Sequence, residues 1–290
     1  MAAKGDIPPA QTWTVRQATS ADEGRLRRML ENAQRVMLRF GAADLGKYLA
    51  QEPFLLAEDA EKLQGFLSWV VRLPQQGALA AAGLGDEVDV AYWLDLLLLA
   101  SIARLREGGV TALSYTGSAV WLLEALQGRG FQLISHIASF EKTGWSIPQE
   151  RNQDVVVRSA GPPDFEALVA LDAPSFHPRW RNTLESLRKW WESLPYFVVA
   201  MMDERVVGYC YCSTGEPGQA HLIRVAVHPS WQGQGIGSRL MAEAILYFQG
   251  VGARHITLNS QEENERAHKL YRRFGFRKAG REATALWREL

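Results

Sequence analysis

One stretch of the sequence has residue types and spacing suited to holding an anion: the run Gln232-Gly233-Gln234-Gly235-Ile236-Gly237. Its glycines remove side chains and let a ligand approach the backbone closely. Ser238 and the residues after it favour a helix, whose first turn would present unpaired N–H groups and the positive end of the helix dipole. Such a helix start is suited to a pyrophosphate.

Two familiar phosphate-binding patterns do not match this run. A dinucleotide-binding unit places G-x-G-x-x-G directly after its first strand, with an acidic residue ~20 positions later. Here the run follows the predicted fourth strand of its half of the chain. A P-loop needs Gly-Lys-Ser/Thr, which the run lacks. The run by itself therefore predicts an anion site without identifying the anion.

A second group of residues lies downstream on a predicted helix that contains Asn264, Ala267, Leu270 and Tyr271. Asn264 and Tyr271 are two helical turns apart, so they share a face. The glycine in Phe274-Gly275-Phe276 is a typical helix stop. The helix is therefore expected to present a carboxamide and a phenol on one side.

These two groups together resemble a known family. The segment Val225–Leu240 resembles motif A of the GCN5-related N-acetyltransferases (GNAT), which reads Arg/Gln-x-x-Gly-x-Gly/Ala, and Gln232, Gly235 and Gly237 match it. The segment Asn264–Phe276 resembles motif B. The resemblance covers the C-terminal half and implies an enzyme that uses acetyl-coenzyme A, with no metal.

The resemblance also implies a role for each matching residue. The backbone around Val225 and Val227 would pair with the pantetheine arm like an added strand, and Asn264 would hydrogen-bond that arm. Amides of the glycine-rich run would hold the pyrophosphate. The implied cofactor-binding residues are Val225, Ala226, Val227, Gln232, Gly233, Gln234, Gly235, Ile236, Gly237, Ser238, Asn264, Ala267 and Tyr271.

Tyr271 is implied as the catalytic acid that protonates the departing thiolate. A phenol has an ordinary pKa of ~10 and a thiol ~8.5, so the phenol is protonated at neutral pH and can donate to the thiolate. The alternative for Tyr271 is a packing aromatic. In this family a free amine attacks the thioester directly, so proximity contributes much of the rate.

The amine must first lose a proton, and two residues are candidate bases. His221, on the strand before the glycine-rich run, has an ordinary pKa of ~6.5 that suits this role. Glu216 precedes that strand in a Gly-Pro-rich turn and is expected in solvent. A water chain is the third route. The aromatic segments Phe176–Trp180 and Trp190-Trp191 are expected either to wall an apolar or flat acceptor group or to pack in the core.

The order of predicted elements repeats, which indicates two tandem domains. We predict an α/β fold with a mixed sheet, a first GNAT-like domain at residues 1–145 and a catalytic GNAT domain at residues 153–290. The join at Thr143–Asp154 is polar and contains Gly144 and Pro148, as a linker would. Two unrelated α/β domains are the alternative.

The first half lacks the chemistry of the second. Aligning Gly130-Phe131 with Gly275-Phe276 puts Glu87, Val90 and Tyr92 in place of Gln232, Gly235 and Gly237. The same alignment puts Ala119 in place of Asn264 and Leu126 in place of Tyr271. We therefore expect the first half not to bind coenzyme A, and one active site per chain.

Composition narrows the remaining questions. Basic and acidic residues each number 32, which does not favour a nucleic-acid or membrane partner. Cys210 and Cys212 do not form a disulfide framework, and Met1–Thr14 lacks a signal-peptide pattern, so a cytoplasmic location is expected. We predict a monomer or homodimer acting on a small-molecule or peptide amine. The alternatives are a non-catalytic acyl-coenzyme A sensor and a transferase for longer acyl groups.

Overall fold

The computed structural model describes residues 13–50, 53–59, 62–73, 75–149 and 152–290. They form two compact units, one of residues up to Ile134 together with Ala285–Leu290, the other of Ser135–Thr284. Among the described residues, no helix combines the length and apolar character needed to span a bilayer. Nor do any three described His, Cys, Asp or Glu residues cluster as metal ligands would.

The first unit has six strands and four helices of its own in the described part of the chain. The strands are β1 (Thr14–Gln17), β2 (Arg35–Leu38), β3 (Phe54–Glu58), β4 (Leu63–Leu73), β5 (Gln76–Leu84) and β6 (Ala112–Gly117). The helices are α1 (Glu23–Asn32), α2 (Leu45–Leu49), α3 (Val90–Glu107) and α4 (Val120–Gln127). The strand order is β1-β3-β4-β5-β6, with β2 also paired to β5.

The second unit repeats this plan. Its strands are β7 (Gln132–Thr143), β8 (Val156–Ser159), β9 (Tyr196–Met202), β10 (Arg205–Thr214), β11 (Gln219–Val227), β12 (His255–Gln261) and β13 (Arg277–Glu289). The helices are α5 (Phe165–Ser175), α6 (Leu184–Ser193), α7 (Ile236–Gly250) and α8 (Glu265–Arg273). The order is β13-β7-β12-β11-β10-β9-β8. Since β11–β12 and β5–β6 are parallel and their neighbours antiparallel, the predicted mixed sheet is confirmed.

In the second unit, β11 and β12 separate partway along their length. They pair only as far as Leu222 opposite Leu258. The next residue, Ile223, has no counterpart on β10 and forms a bulge, which bends the strand and increases its twist. Beyond the bulge, the edge of β11 up to Val227 has no strand partner among the described residues.

The first unit contains the same separation but fills it. The register of β4 against β5 skips Ala80, and β5 pairs with β6 only as far as Ala78 opposite Ser114. Strand β2 lies along the freed edge of β5, where Leu38 faces Ala81. The edge that stays open in the second unit is therefore closed in the first by the chain itself.

The sheet of the second unit has a core on each face. On one face, Leu240 and Phe248 of α7 pack against Leu222, and Tyr271 of α8 lies at the edge of this core. On the other face, the helices α5 and α6 cover the buried ring of Tyr209. Because side chains alternate along a strand, His221 points to the face opposite α7 and α8.

One ion pair with a buried carboxylate and a partly exposed arginine recurs at the same place in both units. Arg16 makes two hydrogen bonds of 2.6 and 2.7 Å to Asp22, just before α1. Arg158 makes two of 2.7 and 2.8 Å to Asp164, just before α5. Each aspartate also accepts a backbone N–H three residues earlier at 2.9 Å. This shared pairing supports a duplicated unit and identifies equivalent positions in the two halves.

The bounds of the units differ from the predicted division at residues 145 and 153. Strand β7, the last of the first half, pairs with β12 from Ile137 to Thr143 and so belongs mainly to the second unit. Conversely, Ala285–Leu290 at the end of β13 belongs to the first unit, where Leu286 is fully buried. Trp145, in the predicted linker, packs on the second core and donates from Nε1 to the carbonyl of Ala253 at 2.6 Å.

Most predicted elements have the observed type, but three were not predicted. The sequence pattern predicts a helix at Val120–Gln127 and strands at Phe54–Glu58 and Tyr196–Met202, and the structure has these elements with the same bounds. Strand β5 was missed because its sequence, QGALAAAGL, is rich in Ala and Gly, which strands usually lack. Strand β2 and helix α2 were missed because both are very short. The sequence also predicts a hairpin turn at Asp59-Ala60-Glu61-Lys62, of which residues 60–61 lie outside the described residues.

Candidate active site

The glycine-rich run forms the start of α7. Strand β11 ends at Val227, a short 3-10 helix covers Pro229–Trp231, and α7 begins at Ile236. Gly233 and Gly235 have φ values of +84° and +78°, which would cost an L-residue roughly 1–2 kcal/mol. Gly235 is the N-cap residue and has no side chain to bond the first N–H groups of the helix. Those donors and the positive dipole end are available to an anion.

The equivalent helix of the first unit has a capped start. Helix α3 begins at Val90, and the N-cap carboxylate of Asp89 accepts the N–H of Tyr92 at 2.7 Å. A carboxylate there satisfies the donors and the dipole that an external anion would use. When the starts of α3 and α7 are aligned, Gly235 is equivalent to Asp89. The sequence alignment predicted Val90, the next residue. Among the described residues, a side chain caps the start of α3, and none caps the start of α7.

Close packing also explains why position 235 is glycine. A Cβ on Gly235 would lie 3.1 Å from Cβ and 3.2 Å from N of Asn152. The Asn152 side chain donates from Nδ2 to the carbonyl of Gln234 at 2.8 Å. Asn152 therefore fixes the shape of the loop. Asn152 lies in the stretch predicted to join the two halves, and its sequence context does not predict this contact.

A positive charge lies beside the first turn of α7. Ser238 is buried, and its Oγ accepts a hydrogen bond from Nη2 of Arg273, the last residue of α8. A guanidinium next to an open helix N-terminus favours phosphate groups. Sequence spacing did not reveal Arg273, because the contact depends on how α8 packs against α7.

The free edge of β11 leads to this helix start. His228 donates its N–H to the carbonyl of Val207 on β10 at 2.9 Å. Because successive backbone groups of a strand point to opposite edges, Val227 and Val225 face the free edge. The carbonyl of Val227 accepts Nε2 of Gln232 at 3.0 Å, which ties the glycine-rich run to the strand.

The strand β11 and the helices α7 and α8 meet at Gly237. A Cβ there would lie 3.4 Å from Cδ2 of Leu270 and 3.8 Å from Cγ2 of Val227. Ile236, the first residue of α7, is buried in the core on the same face. Ala226 is buried in the core on the other face, and its backbone groups point to β10.

Helix α8 begins at a capping asparagine. Asn264 is the N-cap residue, and its Oδ1 accepts the N–H of Ala267 at 3.1 Å. This contact is a structural role, and it does not use the carboxamide Nδ2. In the first unit, Ala119 holds the same N-cap position of α4 without a side-chain cap bond, as the sequence alignment predicted.

Tyr271 lies between aromatic rings at the edge of the core. Its ring centroid is 5.4 Å from that of Phe140 and 6.2 Å from that of Phe276. Burial raises the pKa of Tyr271 above its ordinary value of 10.0, although its hydrogen bond with Ser260 acts in the opposite direction. The phenol is therefore protonated at neutral pH. Ser260 is buried on β12, and sequence analysis did not connect it with Tyr271.

The two candidate bases have different surroundings. His221 is half-buried, and its Nδ1 lies 2.8 Å from Oγ1 of Thr257 on β12. Burial lowers the pKa of His221 below 6.5, opposed by the negative charge of Glu282, so the ring is neutral near pH 7. Glu216 is exposed in the turn before β11, and its carbonyl accepts the N–H of Gln219 at 3.0 Å. Only His221 lies within the strand next to its point of separation.

The predicted wall aromatics have mostly structural contacts. Trp190 stacks on Tyr211 with centroids 6.0 Å apart, and Trp191 donates from Nε1 to the carbonyl of Ala160 at 3.0 Å. Phe176 lies under the guanidinium of Arg224, 4.2 Å from the ring centroid. Trp190 therefore fits the core-packing alternative, Trp191 is exposed, and Phe176 lies next to β11.

Comparison with known proteins identifies the family of the chain. Residues 165–276 match the model of the acetyltransferase (GNAT) family. A mycothiol acetyltransferase of Brachybacterium faecium is 32% identical over 216 residues, 71% of this chain but 61% of that protein. An uncharacterized N-acetyltransferase of Methanocaldococcus jannaschii is 30% identical over 125 residues, 42% of this chain and 78% of that protein. The chain thus spans about three-fifths of the mycothiol enzyme's length.

A solved structure resembles the whole chain. It is described as a tandem GNAT protein from the clavulanic acid biosynthesis pathway, and it aligns with a TM-score of 0.60. The alignment covers 96% of this chain and 98% of that one at 14% identity, so it supports the fold alone. With the archaeal relative matched over most of its length and the family model covering the glycine-rich run and α8, the chain belongs to the acetyltransferase (GNAT) family.

Proposed function

We propose that this protein transfers the acetyl group of acetyl-coenzyme A to a primary amine, within a complex that holds both substrates. The observation that carries the proposal is the uncapped start of α7 next to the unpaired edge of β11. An anion site and a free strand edge, joined at Gly237, fit a ligand with a pyrophosphate at one end and an amide-bearing arm at the other.

The residues of the second unit fit the coenzyme part by part. Amides from Gln232 to Ser238, with Arg273 nearby, suit the pyrophosphate. The edge groups of Val225 and Val227 suit the amides of the pantetheine arm, and Nδ2 of Asn264 is a further donor. When bound, acetyl-coenzyme A supplies a thioester whose carbonyl carbon a neutral amine can attack and whose sulfur leaves as a thiolate.

Tyr271 is proposed as the proton donor to the departing sulfur. Its raised pKa keeps the phenol protonated at neutral pH. Its contacts with the core formed by α7 support a position on the same side of β11 as the proposed coenzyme site. A protonated phenol near a thiolate stabilises it by hydrogen bonding and then delivers the proton.

His221 is proposed as the group that takes a proton from the amine. It points to the face of β11 opposite α7 and α8, and we propose that the acceptor approaches from that face, next to the point where β11 and β12 separate. A neutral imidazole at pH 7 can accept a proton. Glu216, exposed in the turn before β11, is the weaker candidate.

The proposal includes a single coenzyme site per chain. In the first unit, β2 pairs with the edge of β5 that would receive the pantetheine arm, and Asp89 caps the helix that would receive the pyrophosphate. Both parts of the site are thus filled by the chain itself. We propose that the first unit has a structural role.

Release of free coenzyme A thiol tests the function. Acetyl-coenzyme A is mixed with the protein and a panel of amines: glucosamine, tobramycin, L-alanine and a peptide with a free N-terminal alanine. Amine-dependent thiol release and an N-acetylated product by mass spectrometry are expected for at least one member. Tight binding of acetyl-coenzyme A without turnover of any amine would contradict transfer and favour a sensor. Faster turnover of butyryl- than of acetyl-coenzyme A would instead indicate a longer acyl group.

A further inference from the structure

A network of buried polar groups lies on the acceptor face of the second unit. Its centre is the fully buried carboxylate of Asp172 on α5. Asp172 accepts the hydroxyl of Tyr209 at 2.5 Å and Nη1 of Arg224 at 3.3 Å. Asn182 donates from Nδ2 to the hydroxyl of Tyr209 at 3.0 Å. The transfer mechanism proposed above uses none of these groups.

The network holds the segment that connects α5 to α6. Asp172 accepts the backbone N–H of Asn182 at 2.8 Å, and Arg224 donates from Nη2 to the carbonyl of Trp180. The guanidinium also stacks over Phe176 at the other end of the segment, 4.2 Å from the ring centroid. We call Phe176–Asn182 the connecting segment. The side chain of Asp172 holds its last residue, and the side chain of Arg224 holds Phe176 and Trp180.

The first unit shows that the fold does not require a buried carboxylate on this helix. Asp22 and Asp164 precede α1 and α5 in the same ion pair. Leu30 stands in the same place relative to Asp22 as Asp172 does relative to Asp164. Leu30 packs in an apolar core, where an isolated carboxylate would be costly.

The equivalent strand positions are also apolar. Arg224 directly follows the bulge of β11 and Ala81 directly follows that of β5. Tyr209 pairs with Ala226 and Phe66 pairs with Gly83, each two residues past Arg224 and Ala81, so Tyr209 and Phe66 are equivalent. Both Phe66 and Ala81 lie in the same apolar core as Leu30. At the positions equivalent to Asp172, Tyr209 and Arg224, the first unit therefore has apolar residues.

The connecting segment of the first unit follows a different path. There, β2 lies against the freed edge of β5 and Leu38 faces Ala81. In the second unit, the position equivalent to Ala81 is Arg224, whose side chain holds Trp180 on the face of the sheet instead. The two units therefore differ both in the residue at this position, Ala81 or Arg224, and in the path of the segment that follows the first helix.

We infer that Asp172 and Arg224 are positioning residues that hold the connecting segment as a wall of the acceptor site and keep it off the free edge of β11. This inference depends on the proposed transferase function, because the wall faces the side from which an amine approaches. Arg224 lies next to Val225, which faces the coenzyme edge, and on the same face as His221. Loosening the wall should weaken acceptor binding and leave the coenzyme site largely intact.

The test copies the first unit into the second. A triple variant, Asp172→Leu, Tyr209→Phe and Arg224→Ala, removes the network without leaving a charge buried and unpaired. Hydrogen–deuterium exchange of residues 177–183 and steady-state kinetics with the best amine of the panel are measured. We expect exchange and the acceptor KM to rise at least ~10-fold and the Kd for acetyl-coenzyme A to change less than ~3-fold, since lost hydrogen bonds of this kind usually have such effects.

Arg158→Ala is the matched control. It breaks an ion pair of the same unit that the first unit also contains, so it should lower the melting temperature and leave the acceptor KM unchanged. An unchanged KM and unchanged exchange in the triple variant would overturn the inference. Loss of folding in the triple variant would also overturn it, because the network would then be a requirement of the fold.

A milder variant gives an independent measurement. Arg224→Lys keeps the charge beside Asp172 but cannot bond two acceptors in a plane while stacking on Phe176, so an intermediate rise in acceptor KM is expected. An unchanged KM would count against Arg224. If the unmodified protein turned over no amine, the proposed function would fail, and the exchange of residues 177–183 would still decide whether the network holds the segment.

Discussion

The hydroxyl group of Tyr271 is what would allow this residue to act as a general acid, since the ring alone can only pack. We predict that Tyr271→Phe lowers kcat by about 100- to 10,000-fold, a range typical of removing a general acid. The ring contacts with Phe140 and Phe276 are kept, so the Kd for acetyl-coenzyme A should change less than ~3-fold. Thiol-release kinetics and calorimetric titration give both values. Turnover equal to that of the unmodified protein would leave Tyr271 as a packing residue.

His221 should set the acid side of the pH profile. Burial lowers its pKa below 6.5, and only the neutral ring accepts a proton. The value of kcat/KM should therefore rise with pH through that lowered pKa and level off above it. We predict that His221→Gln removes this limb and lowers kcat/KM, while Glu216→Gln retains it. A profile measured between pH 5 and pH 9, with all three proteins, distinguishes His221 from Glu216 and from a water chain.

The start of α7 depends on one backbone conformation. Gly235→Ala forces a side chain into a left-handed residue and towards Asn152, 3.1 Å away, which costs roughly 1–2 kcal/mol. We predict an increase of ~10-fold or more in the Kd for acetyl-coenzyme A, measured by calorimetry. The control is Gly250→Ala at the other end of α7, where a Cβ meets nothing within 4 Å. Equal affinity in the two variants would contradict the loop assignment.

The glycine-rich run and α8 were predictable because their chemistry is local: glycine conformation, helix caps and helical spacing. Contacts made by packing were not predictable. Arg273 meets Ser238 only because α8 crosses α7, and Asn152 reaches Gln234 from a polar stretch that reads as a linker. Strand β5 was hidden by its Ala and Gly content. Without β5, the sequence did not reveal that the first unit closes the strand edge that stays free on β11.

For the whole chain, the filled edge of β5 predicts the binding stoichiometry. Calorimetric titration with acetyl-coenzyme A should give one site per chain. Asp89→Ala removes the carboxylate cap of α3 and should lower stability by ~1 kcal/mol, without creating a second site, since β2 still covers the edge. Two sites per chain, in either protein, would show that the first unit binds the coenzyme.

The end of β13 should stabilise the first unit although it is last in the sequence. Leu286 is fully buried in the first core, so Leu286→Ala should cost about 2–5 kcal/mol. Hydrogen exchange should report the loss in β4 and α3 more than in α7. The matched variant, Leu258→Ala on β12, is buried in the second core and should have the reverse pattern. Equal loosening of both units in both variants would contradict the assignment of Leu286.

Each unit includes a strand segment from the other half of the sequence, which limits where the chain can be cut into two separately folding fragments. A cut in the stretch 144–149 would leave β7 on the first fragment, although it pairs with β12 in the second unit. It would also leave Ala285–Leu290 on the second fragment, although they complete the first unit. Each fragment alone would expose an unpaired strand edge, a common cause of aggregation. Expressed together, the two pieces should complement each other and recover acetyltransfer as a heterodimer.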